Sequence, residues 1–168
     1  MLAWLDGKLP VPKIIAAETQ DDTSHLLMSR LPGEMACSAA SMRNIEATVK
    51  ALAQGLQMLW QIDTSDCPCS NQNRPSEDLI FSHGDFCLPN IFISGSEVTG
   101  FLDLGSGGVS DRWQDIALCV RSLQYNMIEY ANYTEADYQQ YRALLFQELG
   151  ITPDEEKIQY YILLDELF

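Results

Sequence analysis

The stretch Phe81–Asp115 constrains this chain more than any other. Two apolar runs, Ile91-Phe92-Ile93 and Val98-Thr99-Gly100-Phe101-Leu102, flank Ser94-Gly95-Ser96-Glu97, which reads as a hairpin turn. Three polar strings surround that hairpin: His83-Gly84-Asp85 before it, Asn90 at its start and Asp103-Leu104-Gly105 at its end. With Ser94 paired to Glu97, Asn90 faces Phe101, and Asp103 lies diagonally beyond on the same face. Diagonal neighbours of that kind stand about 7–8 Å apart, so both side chains can reach one ion.

The rest of the chain supports this segment. Leu2 and Leu5 share one side of a short helix ended by Gly7, and Pro10 and Pro12 force an extended path. Lys13–Ala16 reads as a strand, Asp21-Asp22 as a turn and His25–Ser29 as the returning strand, broken at Leu31-Pro32-Gly33-Glu34. A lone hairpin is marginal in water, so these two strands expect further neighbours. Ser38 or Ser41 caps one long helix whose apolar stripe is Met42, Ile45, Val49, Leu52, Leu56 and Leu59. Asp63 to Asp78, polar and interrupted by Pro68 and Pro75, is a surface connection.

Beyond the central segment, Asp111 or Ser110 caps a helix with the stripe Ile116, Val120, Leu123 and Met127. Thr134–Asp137 is a capping-box start with Gly150 as the stop, and Thr152-Pro153-Asp154-Glu155 opens a last helix. The expected architecture is α+β: a mostly helical lobe with a small β-hairpin set into it.

Composition bounds the function. A length of 168 residues with 46% hydrophobic and 20% charged residues describes one globular domain with a real core. No apolar run approaches the roughly 18–20 residues of a membrane span and no signal-peptide pattern opens the chain, which points to the cytoplasm with no membrane partner. Five cysteines at irregular spacing, Cys67-Pro68-Cys69 included, favour reduced thiols over disulfides or zinc. A net charge of −14, from 24 acidic against 10 basic residues, offers no basic face for nucleic acid and attracts cations instead.

The polar strings carry a specific chemistry. His83, Asp85 and Asn90 fit the pattern H-x-D-x-x-x-x-N, and Asp103-Leu104-Gly105 fits D-x-G; in this order they are the catalytic-loop and metal-binding signatures of phosphoryl transfer. Asn90 and Asp103 offer hard oxygens of the sort Mg²⁺ takes while phosphate and water complete its shell. Asp85 can accept a proton from an attacking hydroxyl or orient it. His83 is expected to anchor the loop through hydrogen bonds. Singly each string is a common turn; together, around a hairpin, they are specific.

The strings His83–Phe92, Gly100–Gly105 and Asp111–Ala117 resemble the aminoglycoside phosphotransferases, and most nearly their 3′-phosphotransferase branch. Val11-Pro12-Lys13, Leu27-Met28-Ser29 and the ending Tyr160–Phe168 extend the resemblance over nearly the whole chain. It implies a protein-kinase-like fold, ATP or another nucleoside triphosphate with Mg²⁺ as cofactors, and a cationic aminoglycoside as substrate. It further implies Asp85 as catalytic base, Asn90 and Asp103 as metal ligands, and the backbone of Ser29, Arg30 and Leu31 as the hinge that meets adenine. Asp165, Glu166 and the carboxylate of Phe168 would bind ammonium groups of the antibiotic. Two departures stand out: Ser106 replaces an arginine that often follows the D-L-G, and Gln124-Tyr125-Asn126 stands where some relatives place an acid.

A kinase small lobe carries a glycine-rich loop and a strand lysine on the phosphates. Neither is found before the hinge, so the nucleotide lobe is expected to be largely missing: residues 1–33 read as its remnant with the hinge, and 34–168 as the catalytic and substrate lobe. Two hypotheses follow, an enzyme whose turnover needs a further N-terminal part, and a catalytically incompetent module that binds aminoglycoside or Mg²⁺. Within the enzyme class the alternatives are kinases of macrolides, choline or homoserine.

Overall fold

A computed structural model describes residues 1–21, 23–68 and 78–167. The chain opens with a one-turn helix, α1 (Leu2–Leu5), followed by the antiparallel ribbon β1 (Ile14–Gln20) and β2 (Thr23–Met28). A two-residue strand, β3 (Glu34–Met35), leads to α2 (Ala39–Arg43) and α3 (Ile45–Trp60). After β4 (Leu79–Ser82) come the hairpin strands β5 (Ile91–Ser94) and β6 (Glu97–Phe101), then β7 (Gly108–Asp111). Three helices close the chain: α4 (Arg112–Tyr125), α5 (Glu135–Leu149) and α6 (Glu155–Asp165). The architecture is α+β with the helices dominant.

The core forms where the helical stripes meet the hairpin. Val49, Leu52, Leu56 and Leu59 of α3 are wholly buried, together with Ile116 and Leu123 of α4, Leu145 of α5, and Phe81, Phe86, Ile91 and Phe101 around the hairpin. Removing this apolar surface from water is the main term holding the lobe together. α3 packs on α5 and β6, and α4 on α6. Leu5, Leu9 and Val11 join the same core, so the opening residues are part of it. Pro10 accepts the backbone N–H of Phe101 at 2.9 Å and ties this opening segment to β6.

Several local expectations are corrected. The helix expected from Ser38 is two helices, because Asn44 leaves helical geometry (φ −116°, ψ 54°); Ser38 caps the first, accepting the Ser41 N–H at 3.1 Å. The last helix begins one residue after Asp154, whose carboxylate accepts the Lys157 N–H, so Asp154 and not Thr152 is its cap. The Thr134–Asp137 capping box and the Gly150 stop are present. Asp22 and residues 69–77 of the expected turn and surface connection lie outside the described residues.

The ribbon β1–β2 behaves unlike the rest. Every residue of β1 is exposed, and Ile15, Leu26 and Leu27 are more than half or about half in water. Its base is fastened at Ser29, which donates its N–H to the Lys13 carbonyl and whose hydroxyl accepts the Lys13 N–H, both at 2.9 Å.

Candidate active site

Two ladders bring the polar strings together. β4 pairs antiparallel with β7, with Ser82 opposite Gly108, so the loop leaving β4 and the loop entering β7 emerge at one end. The first loop carries His83-Gly84-Asp85 and the second Asp103-Leu104-Gly105. They touch at Gly84, which adopts φ +85°; a Cβ there would collide with the Ser106 carbonyl. Only glycine combines that backbone angle with that approach.

The loop is held from beneath by a residue that sequence reasoning left without a role. Asp115, on the first turn of α4 and wholly buried, accepts the backbone N–H groups of His83 at 2.7 Å and Gly84 at 3.0 Å. Burial pushes its carboxyl up to about 6, against the pull of those N–H groups and of Ser82, which favour the ionised form. Gln114 reaches the Gly84 carbonyl from the same turn at 3.4 Å. Ser122, two turns further along α4, accepts the N–H of Leu88 at 3.0 Å.

His83 is equally buried. Its Nδ1 accepts the Asp85 N–H at 3.3 Å, which places the ring proton on Nε2. Nε2 makes no hydrogen bond of ordinary geometry, although the nearby Leu102 carbonyl weakly favours the charged form. Burial outweighs this and the Asp85 and Asp103 charges, holding the imidazole down to about 4, so it is neutral at pH 7. Its ring packs against Phe86 and Phe101, with centroids 6.0 and 6.2 Å away.

Asp85 and Asn90 meet directly. The Asn90 amide nitrogen donates to the Asp85 carbonyl at 3.0 Å and to its carboxylate at 2.9 Å. The 3₁₀ turn Leu88–Asn90 makes this contact, with Cys87 donating back to the Asp85 carbonyl at 2.8 Å. The Asn90 side-chain oxygen therefore remains as an acceptor.

The expected register of the hairpin is wrong by one residue. Ser94 does pair with Glu97, but a bulge between Phe92 and Ile93 places Ile91 opposite Phe101. Asn90 thus stands beside Leu102, whose N–H it accepts at 2.8 Å, and Asp103 follows immediately. The bulged residue is Thr99; its hydroxyl leaves the ladder and donates to the Pro32 carbonyl at 2.7 Å. Asp103 is exposed and takes a left-handed backbone (φ 57°, ψ 55°), which ends the strand alternation at that point.

No group of three or more His, Cys, Asp or Glu residues able to hold a metal occurs among the described residues. A site built on the Asn90 oxygen and the Asp103 carboxylate is consistent with that: Mg²⁺ uses one or two protein oxygens and fills the rest of its octahedron with phosphate and water.

The end of α6 comes to the same loop. Asp165 lines a cleft of about 250 Å³ with Gly84, Ser106, Gln114 and Tyr161, so α6 reaches the His83–Asp85 loop. Its carboxylate is paired with Arg121 of α4. Asp85, Arg121 and Asp165 all lie close enough to the Cys87 thiol to act on it, and burial pushes that thiol up to about 12. Glu166 caps α6 and is exposed; Phe168 lies outside the described residues. In the segment expected to be the hinge, Arg30 is exposed, while Leu31 is buried with its side chain against Gly100, where a Cβ would stand 2.5 Å from it.

Comparison with known proteins shows the family and the fold. The sequence model of the phosphotransferase enzyme family matches residues 69–158. An aminoglycoside 3′-phosphotransferase of Enterococcus faecalis is 37% identical, the match covering all of this chain and 76% of the relative. One of Staphylococcus aureus is 36% identical over all of this chain and 77% of its own length. The Enterococcus match runs over 212 aligned positions although this chain has 168 residues, so at least 44 positions of the alignment have no counterpart here.

Among solved structures, an aminoglycoside-3′-phosphotransferase of type VIII superposes with a TM-score of 0.78 at 26% identity, covering 99% of this chain and 77% of that one. The APH(3″)-Id enzyme of Streptomyces rimosus, solved with ADP and streptomycin, gives 0.82 at 22% identity, covering 98% and 78%, a likeness of fold. With the fold and the ordered strings in agreement, the chain belongs to the aminoglycoside phosphotransferase family of kinase-like enzymes.

Proposed function

We propose that this chain carries the acceptor and metal half of a site that transfers a phosphoryl group from a nucleoside triphosphate, ATP in the simplest case, to a hydroxyl of an aminoglycoside, and so confers antibiotic resistance. The observation that carries the reading is the meeting of Asp85, Asn90 and the end of α6 around one loop, with Asp165 in the cleft that Gly84 and Ser106 line.

Asp85 is the group that orients the attacking hydroxyl and receives its proton. The Asn90 amide nitrogen holds that carboxylate. The Asn90 oxygen and the Asp103 carboxylate would hold Mg²⁺, which would supply charge neutralisation on the triphosphate. His83, neutral and wholly buried, positions the loop and exchanges no proton near pH 7. Asp165, Glu166 and the carboxylate of Phe168 take ammonium groups of the acceptor. Arg121 must yield part of Asp165 to do so. The backbone of Ser29, Arg30 and Leu31 is the hinge that meets the base, residues 1–33 being the end of a nucleotide lobe and 34–168 the acceptor lobe. A net charge of −14 suits a polycationic substrate.

A second reading, binding without turnover, is favoured by where the lysines go. Lys8 pairs with Asp66, Lys50 with Glu46, and Lys157 with Asp78 and Asp111; Lys13 is exposed at the foot of the ribbon.

One experiment separates them. The chain is incubated with ATP, Mg²⁺ and kanamycin, and phosphorylated product is followed. Turnover that disappears in Asp85→Ala supports transfer; calorimetric binding of kanamycin without product supports the binding module. Equal use of a neutral alcohol would count against an aminoglycoside as the acceptor.

A further inference from the structure

α4 does not end as it began. After Tyr125 the chain enters a π-helical turn, Asn126–Tyr130, closed by the Ala131 N–H on the Asn126 carbonyl at 3.1 Å. In an α-helix, residues five apart are rotated by about 140° and cannot meet. The wider turn brings them back to one face. Tyr125 and Tyr130 consequently pack edge to face, with centroids 5.3 Å apart and hydroxyls 3.2 Å apart. Asn126 braces the turn by donating to the Ser122 carbonyl at 2.8 Å.

The pair gains little from burial, since the two residues remain 55% and 67% exposed. They stand instead on the rim of a groove of about 550 Å³ whose other walls include Cys87, Pro89, Arg121 and Asn126. Cys87 is two residues from Asp85, and its thiol lies within hydrogen-bonding influence of that carboxylate. The groove therefore opens beside the group that would activate the acceptor. Glu129, on the same turn, brings a negative charge near the Tyr125 hydroxyl. The one cation in the groove wall, Arg121, is already paired with Asp165.

We propose that Tyr125 and Tyr130 form an aromatic wall of the acceptor pocket, taking a protonated amine of the sugar against a ring face. The proposal rests on the acceptor reading above. A ring face attracts a cation and, unlike a carboxylate, does so without fixing the donor's direction. A pocket walled this way tolerates amines at different positions of the sugar.

The test is calorimetric titration of kanamycin into the full chain, comparing wild type, Tyr125→Phe/Tyr130→Phe and Tyr125→Leu/Tyr130→Leu. The phenylalanine pair is expected to bind within about twofold of wild type, because the ring faces remain. The leucine pair, similar in bulk and without a ring, is expected to bind about fivefold or more weakly. Thermal melting of all three should coincide, as both rings are exposed; if the leucine pair melts early, Tyr125→Leu alone repeats the comparison. Leucine variants that bind like wild type overturn the aromatic wall and leave the acceptor reading standing. A wild-type chain that binds no kanamycin overturns both.

Discussion

Asp115 accepts the backbone N–H of His83 at 2.7 Å across 32 residues of sequence, and this bond sets the His83–Asp85 loop on the first turn of α4. Hydrogen bonds to a charged group contribute about 1.5–3 kcal/mol each, and Asp115 makes a second to Gly84. Asp115→Asn keeps one acceptor oxygen and turns a donor toward the other N–H. Urea unfolding should show a loss of about 2–3 kcal/mol. An unchanged midpoint would mean the loop is held by its ladders alone.

The two buried titratable groups beneath the loop oppose each other with pH. His83, held near 4 by burial against an ordinary 6.5, stays unprotonated when folded, so its contribution is present above pH 6.5 and is lost as pH falls toward 4. Asp115, pushed up by burial from 3.8 to about 6, keeps its proton longer when folded, so its contribution is present below pH 3.8 and is lost as pH rises through 6. Each slope approaches about 1.4 kcal/mol per pH unit, with opposite sign, where the windows overlap. Wild-type stability should therefore change little between pH 4 and 6 on their account. His83→Gln should gain stability as pH falls through that range, and Asp115→Asn should lose it. Parallel curves for the two variants would contradict the assignment.

Gly84→Ala should cost about 2–3 kcal/mol, because it combines an unfavourable positive φ with a collision against the Ser106 carbonyl. Gly7→Ala separates the two effects. Gly7 has φ +80° with nothing within 4 Å of an added Cβ, so its substitution should cost about 1 kcal/mol. Equal losses, read from Tm, would remove the contact between the two loops from the explanation.

Thr99→Val deletes the hydroxyl that reaches the Pro32 carbonyl while keeping the side chain's shape. The global loss should be about 0.5–1 kcal/mol. The local effect should be larger: hydrogen exchange at Leu31 and Gly33 should quicken relative to α3 and α5, because this bond and the Leu31–Gly100 packing tie residues 31–33 to β6. Unchanged exchange there would show that Leu31 alone suffices.

What could be read in advance was local. The Thr134–Asp137 capping box needs only four consecutive residues, and the order of His83, Asp85, Asn90 and Asp103 is visible in any listing of the chain. The last helix starts later than Thr152-Pro153 implies because Asp154 supplies the capping oxygen, accepting the N–H of Lys157 three residues on, a choice between neighbouring caps that composition does not rank. The hairpin register depended on Thr99 leaving the ladder for Pro32, a partner 67 residues away. The β4–β7 ladder and the role of Asp115 are long-range in the same way. Tyr125 and Tyr130, five residues apart, share no face at α-helical spacing, and only the π-helical turn aligns them.

The ribbon β1–β2 carries a consequence for how this protein must be handled. Among the described residues its two strands pair only with each other, so an outer row of backbone donors and acceptors is open on either side, beside Ile15, Leu26 and Leu27. Unpaired edges flanked by apolar side chains are templates for intermolecular strand addition. Colloidal behaviour should thus be governed by this exposed ribbon, with shelf life and working concentration set there, and a lysine placed on the ribbon's edge is the direct route to a tractable sample.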